Sequence, residues 1–180
     1  SIARRLGINT AGLVTSSRHI EGVVEMMLDA TQRHTLPLTE KRLFGWHAAL
    51  FPTGYSGPYQ IETGRYRTGE MQVVSGAMGK EKVHYVAVKP EMVKPEMDRF
   101  LDWFNTENRL DPVLKAAIAH FWFIIIHPFD DGNGRIARAI TDMLLARSEG
   151  SGERFYSMSN QILTERKRYY EVLQKVQHSS

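Results

Sequence analysis

Residues 127–138 read HPFDDGNGRIAR and follow directly on the apolar run FWFIII. Pro128 cannot continue a helix, so the chain must turn there. Gly132-Asn133-Gly134 permits a tight or left-handed backbone, and RIARAI restarts a helix. A glycine-rich turn at a helix N-terminus offers unpaired N–H groups and a positive dipole end, a setting for an anion and typically for phosphate. Arg135 and Arg138 lie three apart and can project from one side of the first turn. Two guanidiniums beside such a nest suit a polyphosphate better than a single phosphate. Asp131 would repel that phosphate unless a hard cation lay between them, and Mg²⁺ held by one carboxylate and phosphate oxygens meets the need. His127, at the lip of the turn, is the residue type that takes a proton near neutral pH. A base, a metal ligand and a phosphate cradle together spell phosphoryl or nucleotidyl transfer. The competing reading is an ordinary turn between two helices.

Most of the rest must be helix, because apolar residues recur at helical period. EGVVEMMLDATQ (21–32) sets Val23, Val24, Met27 and Leu28 on one face. Thr39 reads as an N-cap for a helix whose stripe is Leu43, Trp46, His47 and Leu50. Residues 51–58 read as loop. The segment 65–88 differs: MQVVS and VHYVAV are β-prone runs around a glycine-containing turn, the pattern of a hairpin. Pro90 and Pro95 bracket the entry to a helix, EMDRFLDWFN, with Met97, Phe100, Leu101 and Phe104 inward. Asp111-Pro112 caps the next helix, to Ile126, which is apolar nearly all round and is expected at the centre of a bundle. Another helix starts near Asn133, and a last one carries ILTERKRYYEVLQKV. His120 sits about 10 Å along the axis from His127, too far to share a metal with it, and reads as a core histidine or one that supports the site from behind.

Composition narrows the function classes. With 180 residues, 42% of them hydrophobic, one domain can bury a sizeable core. The net charge of +3 is spread over 23 basic and 20 acidic residues without a basic stripe, so nucleic acid is not an expected partner. The absence of cysteine excludes disulfides, thiolate metal sites and a cysteine nucleophile, and fits a cytoplasmic setting. No stretch approaches the roughly 18 apolar residues of a spanning helix, so no membrane partner is expected.

HPFDDGNGRIAR resembles the signature of the Fic family, HPFx(D/E)GNGRxxR, at every fixed position. The resemblance extends over most of the chain and implies an all-α, Fic-type helical bundle with a small β-hairpin flap near the active site. It frames residues 1–180 as a single Fic domain, a fragment of a longer protein. Residues 1–35 are its N-terminal helical part, 65–88 the flap hairpin, and 112–147 the central helix, motif loop and following helix. The implied activity is transfer of AMP from ATP to a Ser, Thr or Tyr hydroxyl of a target protein, with Mg²⁺ as cofactor. The intact GNGR favours nucleotidyl transfer over the phosphate transfer of relatives in which it is degraded. De-AMPylation and other phosphate-containing donors stay open, as do a nucleotide- or nucleic-acid-binding regulatory module and a homodimer.

By the same resemblance, His127 is the general base and Asp131 holds the metal. Gly132, Asn133 and Gly134 form the anion hole, and Arg135 and Arg138 bind the β- and γ-phosphates. Phe129 points inward and anchors the turn. Tyr169 and Tyr170 match a tyrosine pair that lies against the nucleotide. Val73, Val74 and Ser75 belong to the flap edge that docks a target segment by strand pairing. Many relatives are held inactive by a glutamate in Ser/Thr-x-x-x-Glu-Gly/Asn that pairs with the second motif arginine, here Arg138. SRHIEG (17–22) fits that pattern with Glu21. The inhibitory helix normally precedes an element resembling SIARRLGI, so a regulatory helix upstream of this chain is the competing placement.

Overall fold

Caps written in the sequence start the helices. Thr39 Oγ1 accepts from the Arg42 N–H at 3.2 Å, opening the helix Glu40–Leu50. Asp111 Oδ1 accepts from the N–H groups of Val113 and Leu114, both at 3.0 Å, and Pro112 takes the first position of Pro112–Ile126. A computed structural model describes residues 18–75 and 82–152, with 164, 165, 168, 171 and 172. In chain order the elements are α1 (Arg18–Gln32), α2 (Glu40–Leu50), β1 (Tyr55–Ser56), β2 (Tyr59–Gln60), β3 (Gln72–Ser75), β4 (Lys82–Val86), α3 (Pro90–Thr106), α4 (Pro112–Ile126) and α5 (Asn133–Glu149). The architecture is helical, with two small antiparallel ladders, β1–β2 and β3–β4. The second is the expected hairpin, with Gln72 opposite Val86 and Ser75 opposite Lys82. The first interrupts the stretch read as loop.

The helices differ from expectation in three places. α5, not α4, is the most enclosed: Ile136, Ala137, Ala139, Ile140 and Met143 are fully buried, while Val113 and Leu114 at the start of α4 are exposed. The alanines of α5 let α1, α2 and α4 all pack against it. Pro95 lies inside α3 rather than before it, because buried Val93 and Met97 draw the first turn into the core. In α1 the buried row is Met26 and Ala30, with Val23 and Met27 partly covered. Gly22 sets that rotation: a Cβ there would stand 1.8 Å from the carbonyl oxygen of Ala49 in α2. The glycine lets the two backbones touch. Asp29 completes the joint by accepting from Arg42 Nε at 2.6 Å and Trp46 Nε1 at 2.7 Å.

One hydrophobic core runs from Met26 in α1 to Leu145 in α5, with Phe100, Phe104, Phe123 and Phe129 fully buried inside it. The expected inward residues Met97, Phe100 and Phe104 are there, as is the α2 stripe of Leu43, Trp46, His47 and Leu50. No helix among the described residues is long and apolar enough to cross a membrane.

Candidate functional site

The turn between α4 and α5 begins at His127, whose backbone is left-handed (φ 51°), the one such non-glycine among the described residues. Helices often end on this conformation, but usually with glycine. Its N–H still bonds the Phe123 carbonyl at 3.0 Å, so the ring leaves the helix axis at a fixed point. Nδ1 stands 3.2 Å from the Ile124 carbonyl oxygen, which can only accept. Nδ1 therefore carries the proton, and Nε2 is the basic nitrogen. Burial pushes the imidazole pKa down to about 4, with Arg67 pushing the same way against the Ile124 bond and Asp131. At neutral pH His127 is a neutral base of fixed tautomer.

Three side chains hold the turn in shape. Phe129 is fully buried and stacks on the His47 ring at 4.3 Å, with Phe44, Tyr66 and Phe123 around it. Asn133 is buried and brackets Phe129: Oδ1 accepts from its N–H at 3.0 Å and Nδ2 donates to its carbonyl at 2.7 Å. Its side chain is thus a brace, leaving its backbone N–H for any anion. His47, from α2, accepts from the Gly64 N–H at Nδ1 (3.1 Å) and donates from Nε2 to the Asp131 carbonyl (3.2 Å). Burial lowers its pKa too, which keeps that donor–acceptor pairing in place. Gly132 is left-handed (φ 81°), and a Cβ on it would meet the Phe51 ring at 2.9 Å. The turn therefore needs glycine there for both conformation and space.

Beyond Gly132 the first turn of α5 presents N–H groups that no helix carbonyl can take. Arg135 leaves this turn with its guanidinium 4.8 Å from the centre of the Phe51 ring and 4.0 Å from the Asp131 carboxylate. Arg138 stands one turn along, its side chain beside Gly134. Asp131 is half-exposed: one carboxylate oxygen accepts from the Gly132 N–H at 2.6 Å and the other from the Ser56 hydroxyl of β1. Asp130 accepts instead from the Glu62 N–H at 3.0 Å and fastens the loop. A single half-exposed carboxylate beside a nest of N–H groups fits an Mg²⁺ that takes its other ligands from phosphate and water.

The sequence-predicted residues His127, Asp131, Gly132, Asn133, Gly134, Arg135 and Arg138 thus share one turn and the helix it opens. Val73, Val74 and Ser75 lie on β3 of the flap ladder. Glu21 sits in the first turn of α1, a helix packed on α5, which carries Arg138. Tyr169, Tyr170 and the segment SIARRLGI fall outside the described residues. His120 is a core residue, 3.1 Å from the Thr141 hydroxyl, and burial brings its pKa to about 4.

Two residues that shape the site were missed. His47 gave a signal, its place within an apolar stripe. Arg67 gave none: it is 2% exposed, whereas Arg65 two positions earlier is exposed and paired with Glu62. Nothing local in RYR tells the two arginines apart.

A family model described as Fic/DOC family matches residues 37–145, which include the whole turn. The chain belongs to the Fic/DOC family. It is 39% identical over 90 residues to a protein adenylyltransferase, fic-1, of Caenorhabditis elegans, an overlap of 49% of this chain and 16% of that protein. With a protein adenylyltransferase Fic of Drosophila mojavensis it shares 50% identity over 123 residues, 67% of this chain and 22% of the relative. The chain thus spans less than a quarter of the length of these curated relatives. A solved Fic family protein from Desulfovibrio desulfuricans superposes with a TM-score of 0.71 at 24% identity, over 98% of this chain and 50% of that one. That likeness establishes the Fic fold.

Proposed function

We propose that the chain is a protein adenylyltransferase domain that transfers AMP from ATP to a hydroxyl of a target protein. The observation that carries this is the state of His127: neutral, its proton on Nδ1, at the edge of a helix N-terminus suited to phosphates. The names of the C. elegans and Drosophila relatives support the same reaction.

In this reading Nε2 of His127 takes the proton of the target hydroxyl as its oxygen bonds to the α-phosphorus. The bond from that phosphorus to the bridging oxygen breaks, and pyrophosphate leaves. The first-turn N–H groups of α5 receive negative charge on the phosphates, and Arg135 and Arg138 bind the outer two. Asp131 would hold Mg²⁺, which supplies charge neutralisation to the triphosphate when bound. The β3 edge presents backbone groups for an extended target segment, which sets the acceptor without reading its side chains closely. Glu21, in the first turn of a helix packed on α5, is the carboxylate we place opposite Arg138 as a brake on ATP binding.

The test is transfer of label to protein from ATP labelled at the α- or the γ-phosphate, with and without Mg²⁺. We expect α-label alone to transfer, to require Mg²⁺, and to vanish in His127→Ala. Glu21→Gly should raise the yield. Transfer from the γ-position would replace this reading with a kinase-like one. ATP binding without any transfer, in Glu21→Gly as well, would leave a binding module.

A further inference from the structure

Arg67 lies buried where the flap leaves the helical body, and its guanidinium is spent on backbone carbonyls from both. Nε donates to the His127 carbonyl at 2.7 Å, and an Nη group reaches that of Ile126 at 3.4 Å. On the flap side it donates to Gly69 at 2.6 Å, ahead of β3, and to Val88 at 2.6 Å, after β4. Its own N–H bonds the Pro128 carbonyl at 2.9 Å. The ladder closes immediately above, where the Ala87 N–H meets the Met71 carbonyl at 3.0 Å. One side chain thus joins both roots of the flap to the residue whose backbone is left-handed.

Each of these contacts has a cause. The carbonyls at the end of α4 lack helix partners and carry the negative end of the dipole, so a cation there is favoured. The left-handed turn at His127 aims its carbonyl away from the helix, and the bond to Nε offsets the cost of that conformation. A planar fork spreads its donors over four carbonyls on the two sides; a compact ammonium, with three donors on one atom, holds fewer of them.

We propose that Arg67 is a positioning residue for the transfer: it locks the flap roots to His127, so that a segment docked on β3 arrives in register with the base. This rests on the adenylyl-transfer reading above, but the lock itself can be measured without activity. Charged groups acting on His127 are Arg67, from the flap root, and Asp131, from the turn.

Two variants of the full chain test it. Arg67→Lys keeps the charge and loses the fork. A second variant carries two glycines between Glu70 and Met71 and two between Ala87 and Val88, which frees the ladder while leaving Arg67 on His127. Nuclear magnetic resonance of the His127 ring reports its titration, and α-labelled ATP reports transfer to protein. In Arg67→Lys the charge stays but the turn is released and the His127 ring opens to water. We therefore expect it to titrate at higher pH than in the wild type, because burial is the main cause of its low pKa. Transfer should fall on the order of a hundredfold, as for a small displacement of reacting groups, with ATP affinity unchanged. In the glycine variant the titration should stay as in the wild type while transfer to protein falls. Wild-type transfer in either variant overturns the proposal. So does a loss in Arg67→Lys matched by equal losses of ATP affinity and thermal stability, which marks a merely structural residue. If the wild type transfers nothing, the transfer reading fails, and an unchanged His127 titration in Arg67→Lys separately defeats the lock. If Arg67→Lys does not fold, the glycine variant decides.

Discussion

A neutral histidine is a good base only if burial leaves the right nitrogen basic. His127 meets this through the Ile124 carbonyl, which claims the proton on Nδ1. The same burial has a thermodynamic consequence shared with His120, since both rings have pKa values pushed down to about 4. In the unfolded chain each returns to about 6.5. Below that value the unfolded state binds protons that the folded state refuses, so stability falls as the pH drops from about 6.5 toward 4. Above 6.5 the two rings contribute no slope. With both in play the loss is on the order of 2 kcal/mol per pH unit near pH 5. Urea unfolding of the wild type and of His120→Gln at pH 7, 6 and 5 checks this. The variant should lose the His120 share, about half of the slope that these two rings contribute. An unchanged slope would mean that His120 is charged in the folded protein.

At the scale of elements, close approach of backbones matters as much as apolar pattern. Gly22 against the Ala49 carbonyl is the tightest case. Gly22→Ala must push α1 off α2, at a cost of about 2 kcal/mol or more. Gly45→Ala, on the exposed face of α2 with nothing within 4 Å of its Cβ, is the control and should stabilise by about 0.5–1 kcal/mol. Urea midpoints for the two variants should move in opposite directions; a neutral Gly22→Ala would mean α1 is not seated on α2. The same contrast explains what the sequence made legible. Thr39 and Asp111 announce helix starts because a cap acts on N–H groups two or three residues away. The motif is legible because its chemistry lies in twelve consecutive residues. On α1 the expected Val23 and Met27 do pack on the core, but Gly22 and Met26 rather than Val24 and Leu28 complete the face, because the partner that selects them lies in another helix. Arg67 was illegible for the same reason: its acceptors come from residues 69, 88, 126 and 127.

For the molecule as a whole, the site and the core are one structure. Phe129 belongs to the motif, yet its ring sits among Phe44 and His47 of α2, Tyr66 below the flap and Phe123 of α4. A residue so placed passes any loosening of the bundle to His127, two residues before it, and to Asn133, which brackets its backbone. The continuous core from Met26 to Leu145 leads us to expect one cooperative unfolding transition for the helical body. Trp46, Trp103 and Trp122 report on α2, α3 and α4, so tryptophan fluorescence and helical circular dichroism should lose signal at the same urea concentration. Phe129→Ala should lower that common midpoint, at a cost of about 3–5 kcal/mol, without splitting it. Two separated transitions would instead divide the chain into independent units and detach the motif from the core that we hold responsible for its geometry.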